Sequence, residues 1–499
     1  MTELSSTQNL AVSRKTLVRA FVGVVLLIFL GEYFSLGYTL VFPAEPLVAT
    51  HFHTTNLAWV FTIVALANVP LCPLAGKIAD RFGSKNVILV LAAIFVIGSL
   101  ICALTSSYGL FIFGRGLEGV GIVLTAVQYA YVRTTLPKRW VPLGLGVIVT
   151  GLGASGILGP FLANWLIDSW GLHGIFWFLT IYAAALGVAF AAFAPDSGIR
   201  LPSGRLDFIS GIVLGGGLGC ILVGIGFGEN WGWSSASVVG YLVGGIVLVA
   251  LSCWRMMVVD QPLLDLRKLA GPQLRWTLLF YLLLALPANG YAFLAPFMIE
   301  TPRLPGLGYG FGASFLHYAV YLLPFGIASI VCGPLGGHLC RSRNPRLVAL
   351  LGAFFQLAGM LMWAFMHTQS WMILLDFGVF GIGFGFLFAA VPNLIAQAVP
   401  VTEMGVAAGV MQTTANISAG TAPVVLSAIL AANVYKFFPA TGTAVYTNTG
   451  LVICYVVLAG AALAGLVILL PTRFGRRPGT MEDREEVLAL ASTGEAVVQ

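Results

Sequence analysis

Gly76-Lys77-Ile78-Ala79-Asp80-Arg81-Phe82-Gly83-Ser84-Lys85-Asn86 is a short charged string caught between two long apolar ones. Residues 57–76 before it and 87–106 after it carry no charge, and each has about the ~20 residues that a helix needs to cross hydrocarbon. Glycine permits a tight turn, and Asp80 sits among three cations, Lys77, Arg81 and Lys85, with which it can pair. The string therefore reads as a cytoplasmic loop joining two membrane helices, with a plain solvated loop as the simplest alternative.

The same alternation extends outward in both directions, with apolar runs recurring from Leu17 to Pro471. Of the 499 residues, 59% are hydrophobic and 9% charged. A soluble domain carries roughly a quarter charged residues, so this chain cannot cover a water-exposed surface; a bilayer can be its solvent. A membrane β-barrel would show ~10-residue alternating strands, whereas these runs are continuous and Gly-rich, as helices are. The first run is too long for a signal-peptide core of ~7–15 residues. The seven cysteines (Cys72, Cys102, Cys220, Cys253, Cys332, Cys340, Cys454) sit singly, which favours small packing residues over metal ligands or disulfides.

Fourteen spans are expected, at about 18–42, 57–76, 87–106, 108–132, 141–165, 173–194, 207–228, 235–258, 275–299, 312–338, 346–366, 370–396, 405–433 and 450–470. Membrane proteins hold Lys and Arg on the cytoplasmic side. With the N-terminus inside, 22 of the 25 Lys and Arg fall in cytoplasmic segments, leaving Arg303 and Lys436 outside and Arg115 within a span. Both termini are thus expected to be cytoplasmic, in a multi-pass protein of the inner membrane. The net charge of +6 then faces anionic headgroups rather than nucleic acid.

An internal repeat runs at an offset of 261 residues: Pro73-Leu74-Ala75-Gly76 answers Pro334-Leu335-Gly336-Gly337, and Gly144 answers Gly405. The expected fold is an all-α membrane protein of two six-helix bundles plus two extra central helices. Its divisions are a cytoplasmic N-terminal tail (1–16), a first bundle (17–194), the extra pair with its linkers (195–274), a second bundle (275–471) and a cytoplasmic tail (472–499). Two related bundles around a midplane site are a common transporter plan.

The opening string resembles the G-x-L-A-D-R-x-G-R-K loop of the major facilitator superfamily, with Gly76, Asp80, Arg81, Gly83 and Lys85 in place and Ser84 replacing an Arg. In that family the loop is a conformational latch, a role the resemblance gives to these residues. Arg341 stands where a second-half Asp80 would align. Arg115-Gly116-Leu117-Glu118-Gly119-Val120-Gly121 resembles the family's R-x-x-Q-G-x-G motif, with Glu118 for the commoner Gln. Gly114 to Gly119 also spells G-x-G-x-x-G, but inside an apolar span with no preceding strand it is no dinucleotide site. Gly151, Gly153, Gly156 and Gly159-Pro160 are close to the G-x-x-x-G-P-x-x-G-G signature of the superfamily's antiporters, with Ser155, Ala163 and Asn164 as departures. Small residues let helices approach and Pro160 bends the helix, so glycine-rich packing without an antiport role is the alternative. Leu206-Asp207-Phe208-Ile209-Ser210-Gly211, Asn230-Trp231-Gly232-Trp233-Ser234 and Pro262-Leu263-Leu264-Asp265-Leu266 resemble the fourteen-helix drug:proton antiporter family, the EmrB/QacA type. The resemblance implies a proton-coupled exporter of small amphiphilic or cationic compounds, with a proton gradient in place of a cofactor. A dedicated exporter of an endogenous lipid, siderophore or metabolite is the alternative.

Charges in hydrocarbon cost ~2.5–3.5 kcal/mol on insertion scales and default to functional candidates. Glu32, Arg115, Glu118 and Asp376 lie within spans. Glu32, ~21 Å along its helix, and Arg115, ~10 Å into its own, reach similar depth. Glu118 is one turn from Arg115, and Asp376 is its repeat equivalent. Glu32 is expected to carry the proton, Arg115 to tune it, and Glu118 and Asp376 to be runners-up; static pairing of Arg115 is the alternative. The expected substrate cavity is aromatic and apolar: Tyr33, Tyr38, Asn68, Gln128, Tyr129, Asn289, Tyr291, Phe293, His317, Tyr321, Gln356, Phe388 and Gln412, although such aromatics also serve packing and interfacial belts. No metal site, nucleotide loop or catalytic triad is read. A monomer working alone or with a periplasmic adaptor partner is expected.

Overall fold

A computed structural model of the chain describes residues 14–135, 141–196, 207–260, 262–263, 271–398, 404–438 and 443–472. The first half holds α1 (Arg14–Gly31), α2 (Tyr33–Thr39), a 3-10 turn Phe42–Ala44, α3 (Glu45–Phe52) and α4 (Ala58–Asn68). After a second 3-10 turn, Cys72–Leu74, come α5 (Ala75–Phe82), α6 (Ser84–Leu104), α7 (Tyr108–Ile122), α8 (Leu124–Thr135) and α9 (Val141–Phe193). Next are α10 (Phe208–Gly226), the four-residue α11 (Gly228–Trp231) and α12 (Ala236–Val258). The second half holds α13 (Pro272–Glu300), α14 (Phe315–Ser342), α15 (Pro345–Phe365), α16 (Ser370–Ala396), α17 (Met404–Ala431) and α18 (Asn448–Leu469).

Eleven helices among the described residues are long and apolar enough to cross a membrane, fewer than the fourteen expected from sequence. The shortfall has local causes. Proline removes a helix hydrogen bond and clashes with the preceding turn, and Pro70 and Pro73 reduce the run 57–76 to an eleven-residue helix and a 3-10 turn. The run 108–132 is divided at Val123. Residues 141–193 form one element interrupted at Gly171, whose φ of 66° and ψ of −160° are non-helical. The first apolar segment continues past its expected end to Phe52. A two-stranded hairpin, β1 (Val434–Phe438) antiparallel to β2 (Thr443–Tyr446), is an element the sequence reading lacked.

Burial is inverted relative to a soluble protein. Phe29, Phe113, Ile181, Val188 and Phe365 are more than half exposed, while Arg115, Glu118 and Asp376 are enclosed. Apolar side chains lose nothing by facing lipid, whereas charges avoid lipid and turn to the bundle interior.

Close crossings follow small residues. A Cβ at Gly98 on α6 would lie 2.6 Å from the Gly114 carbonyl oxygen and 2.8 Å from the Glu118 nitrogen, both on α7. At the repeat-equivalent crossing, a Cβ at Gly359 on α15 would lie 3.0 Å from the Phe380 Cβ on α16. The 261-residue repeat thus reappears as one helix crossing used twice. Between the halves α4 packs on α17 and α9 on α14. The pair α10–α12 lies beside that seam, with Gly211 of α10 against Pro70 and Gly226 near Val424 of α17 and Trp59 of α4.

Asp207 explains one of the sequence motifs. Its carboxylate caps α10 by accepting from the Ser210 N–H at 3.1 Å, accepts from the Leu263 N–H at 3.3 Å, and pairs with Arg255 of α12 at 3.4 Å. One side chain thereby fixes the start of α10, the end of α12 and the linker that follows.

Candidate functional site

Arg115 is the hub of the first half. It is 1% exposed and forms an ion pair with Glu118, one turn along α7. Its Nε donates to the Val60 carbonyl of α4 at 3.1 Å and an Nη to the Gly37 carbonyl of α2 at 3.3 Å. The second carboxylate oxygen of Glu118 accepts from the Ser99 hydroxyl of α6, and the guanidinium lies 6.0 Å from the Phe176 ring of α9. Five helices meet at this ion pair, four of them at the cation, whose fork of donors suits the task. The guanidinium was expected to tune Glu32; its ion-pair partner is instead Glu118, because the i,i+3 spacing on one helix places the two heads together.

Glu32 stands at the break between α1 and α2, buried, and its carboxylate accepts from the Ser155 hydroxyl of α9. Among the described residues no cation forms an ion pair with it. Ser155 is the residue that replaces a glycine of the antiporter-like signature, so the departure supplies the partner. A hydroxyl bridge satisfies one lone pair and leaves the carboxyl free to hold or lose a proton.

Asp376 is fully enclosed on α16, and neither carboxyl oxygen has a hydrogen-bond partner among the described residues. It lies within electrostatic reach of Tyr291 and Tyr455. Those rings pack with Trp363, at centroid separations of 5.6 and 5.3 Å. The hydroxyls of both tyrosines, the Trp363 Nε1 and the Gln356 amide are likewise enclosed without partners. Buried polar groups are normally satisfied, so these unpartnered atoms set this part of the second half apart.

Between the halves, the Thr62 hydroxyl of α4 donates to the Gly420 carbonyl of α17 at 2.9 Å, and the Asn416 amide donates to the Asn68 oxygen at 3.0 Å. Phe61 and Phe293 meet edge to face across the same seam at 6.4 Å.

A helical hub, isolated buried carboxyls and two pseudo-equivalent halves joined by a polar seam describe a transporter, and comparison with known proteins decides the family. The sequence profile of the Major Facilitator Superfamily matches residues 26–205 and 208–423. The chain belongs to the Major Facilitator Superfamily. Similar curated proteins include the tetracenomycin C resistance and export protein of Streptomyces glaucescens, 24% identical over 430 residues that cover 85% of this chain and 77% of that protein. The multidrug resistance protein Stp of Mycobacterium tuberculosis is 24% identical over 387 residues, covering 76% and 69%. In fold the chain resembles the human organic anion transporter MFSD10 (TM-score 0.58, 16% identity, 91% and 99% covered). It also resembles the peptide transporter PepTSo (TM-score 0.59, 12% identity, 90% and 97% covered). The chain is therefore a multi-pass membrane transporter of this superfamily rather than an enzyme.

The superfamily's loop motif is partly visible. Gly83 has a φ of 86°, which only glycine adopts freely. Lys85 donates to the Ala191 and Ala194 carbonyls at 2.9 and 2.6 Å, tying α6 to the end of α9 within one half. Arg81 is exposed over Phe82. The surroundings of Gly76 and Asp80, and those of Tyr129, Gly151 and Gly156, lie outside the described residues. Gly159 and Pro160 are buried, and a Cβ at Gly159 would meet the Thr39 hydroxyl at 2.4 Å. This part of the antiporter-like helix thus packs directly on α2.

The expected cavity residues separate into groups. Tyr33 donates to the Gly121 carbonyl at 2.6 Å and stacks on Phe95, and Gln128 donates to the Leu27 carbonyl at 2.8 Å; both tie helices together within the first half. Asn68, Gln412 (3.5 Å from Asn416) and Phe293 sit at the seam. Tyr38 lies close to Arg115 and Glu118. Tyr291 lies within electrostatic reach of Asp376, whereas Gln356 packs against Gly383, further along α16. Asn289 bonds to its own helix at Ala285, and Tyr321 packs on Phe311. His317 is exposed at the start of α14 beside Ser314, and Phe388 is half exposed against Phe384. Sequence reasoning missed Ser99, Ser155 and Asn416, whose small polar side chains give no signal until a partner is placed opposite.

Proposed function

We propose that this transporter is a proton-coupled antiporter of the fourteen-helix drug:proton type, exporting small amphiphilic or cationic compounds by alternating access. The observation that carries the reading is Glu32, a buried carboxyl at a helix break whose bonded partner is a hydroxyl, in a chain whose relatives include proteins named for drug resistance and export. With Arg115 committed to Glu118, Glu32 can take up or release a proton as water reaches it from one side or the other. A substrate favouring the deprotonated site leaves as the proton enters, because linked equilibria are reciprocal. Asp376, enclosed without a hydrogen-bond partner among the described residues, is the second proton carrier.

The fourteen-span topology adds to the eleven long helices the broken segment at α4, the divided pair α7–α8 and the part of α9 before Gly171. It places both termini in the cytoplasm and the protein in the cytoplasmic membrane. Residues 1–16 and 472–499 are then tails, 17–194 and 275–471 the bundles, and 195–274 the inserted pair, in a monomer that moves small amphiphiles against protons.

The test is export of a cationic dye from proteoliposomes under an imposed pH gradient. Glu32→Gln should abolish gradient-driven export while the protein remains folded and membrane-inserted; normal export by that variant removes Glu32 from the mechanism. The tetracenomycin relative favours a second reading, a dedicated exporter of one endogenous product. That reading requires the same coupling residues and no protection against unrelated dyes.

A further inference from the structure

Two carboxylates outside the sequence-derived set meet where the halves join. Glu45 opens α3 after the 3-10 turn Phe42–Ala44, and Glu300 closes α13. Glu45 is 1% exposed, and neither of its oxygens has a hydrogen-bond partner among the described residues; the same holds for the enclosed Oε1 of Glu300. The turn Phe42–Ala44 that leads into Glu45 packs on α13, the helix that Glu300 closes, so the two carboxylates, 255 residues apart by number (300 less 45) and on opposite halves, come within electrostatic reach of each other. No described Lys, Arg or His forms an ion pair with either.

Two neighbouring buried carboxyls without a cation cannot both ionise cheaply, since like charges repel strongly in low dielectric. The groups around them are tyrosines: Tyr318 of α14 is near both, and Tyr446 of β2 is near Glu45. Tyr309 donates to the Tyr446 carbonyl at 2.8 Å. Tyr318 is in turn near Tyr291 and Tyr455, the two tyrosines beside Asp376. Enclosed tyrosines thus stand both at the seam and beside Asp376.

The geometry points to a proton-binding clasp: Glu45 and Glu300 share a proton across the outer seam, hold the two halves together there while it is bound, and release the seam when it leaves. The inference deepens the proton-exchange reading and rests on it for its place in the cycle. The protonated pair closes the outer end, and its loss of a proton opens that end for substrate to depart. No bond other than the O–H changes; the carboxyl gives its proton to water that reaches the pair as the seam opens.

Other titratable groups border this region. His51 on α3 packs against His173 at 4.8 Å, with His53 nearby, and His317 bonds Ser314. Arg303 donates to the Gly310 carbonyl at 3.3 Å, and Lys436 lies over Phe438. The experiment separates them from the clasp. Hydrogen exchange of segments 42–57 and 300–314 is followed by mass spectrometry on the full chain in nanodiscs, without substrate or gradient. The pH runs from about 5 to about 8, to bracket perturbed buried carboxyls, with rates corrected for intrinsic exchange. The wild type should lose protection severalfold at the higher pH. Glu45→Gln and Glu300→Gln should each stay protected throughout, and Glu300→Asp and His51→Gln should keep the wild-type response. If one glutamine variant fails to fold, the other decides. A folded glutamine variant that still opens with rising pH, or loss of the response in His51→Gln alone, overturns the proposal. Because no transport is involved, a chain that opens with pH but fails to export would sink the antiport reading and leave the clasp standing.

Discussion

The Asn416 amide donates to the Asn68 carboxamide oxygen at 3.0 Å across 348 residues of sequence, joining α17 of one half to α4 of the other. Helix–helix hydrogen bonds in a membrane average about 0.6 kcal/mol and reach ~1.7. Asn68→Ala and Asn416→Ala should each lower the melting point in detergent, and the double variant should fall short of their sum by a coupling of that order. A thermal double-mutant cycle measures it; zero coupling means that the bond is not made.

Arg115 and Glu118 are both 1% exposed. Removing one partner from a buried pair leaves an uncompensated charge and costs ~3–5 kcal/mol, more than replacing both with apolar groups. Glu118→Ala and Arg115→Ala should therefore sharply reduce yield and thermal stability, and a double replacement by leucine and methionine should recover part of the loss. Membrane yield and melting curves of the three variants supply the check.

Gly119 has a packing reason to be glycine. A Cβ there would lie 2.4 Å from the Val64 carbonyl oxygen, whereas one at Gly109 on the same helix meets nothing. Overpacking costs typically 1–3 kcal/mol, about what Gly119→Ala should lose. Gly109→Ala should be neutral or slightly stabilising. Thermal denaturation of the two variants beside wild type tests the contrast.

Asp207 lies just before α10 and gives a pH signature. Burial alone would raise its carboxyl, but the bonds from Ser210 and Leu263 and the Arg255 charge outweigh it and hold the carboxyl below its ordinary value of 3.8. A depressed folded value contributes stability that is complete above the ordinary value and disappears as pH falls through the folded one. Asp207→Asn should therefore melt below wild type at neutral pH, and the gap should close below about pH 4. A gap that persists at low pH would assign the loss to capping geometry rather than charge.

Several candidate residues were legible because chemistry singles them out. A charge inside an apolar run is conspicuous in one dimension, so Glu32, Arg115, Glu118 and Asp376 could be named from the chain alone. Their partners could not. Glu118 rather than Glu32 holds Arg115, and Ser155, a mere departure from a glycine pattern, became the contact of Glu32. Glu45 and Glu300 fall just outside the apolar runs, where a carboxylate looks solvated, and only the closure of one half on the other encloses them.

By itself the sequence determined the solvent, the helical class and the superfamily motifs. Each follows from hydrophobic run length or local spacing, which are properties of neighbours along the chain. Tertiary structure decided which charges pair, which carboxyls stand without a cation, and where the halves touch. Those depend on distances between helices hundreds of residues apart, set by where small residues allow backbones to approach, and no local pattern encodes them.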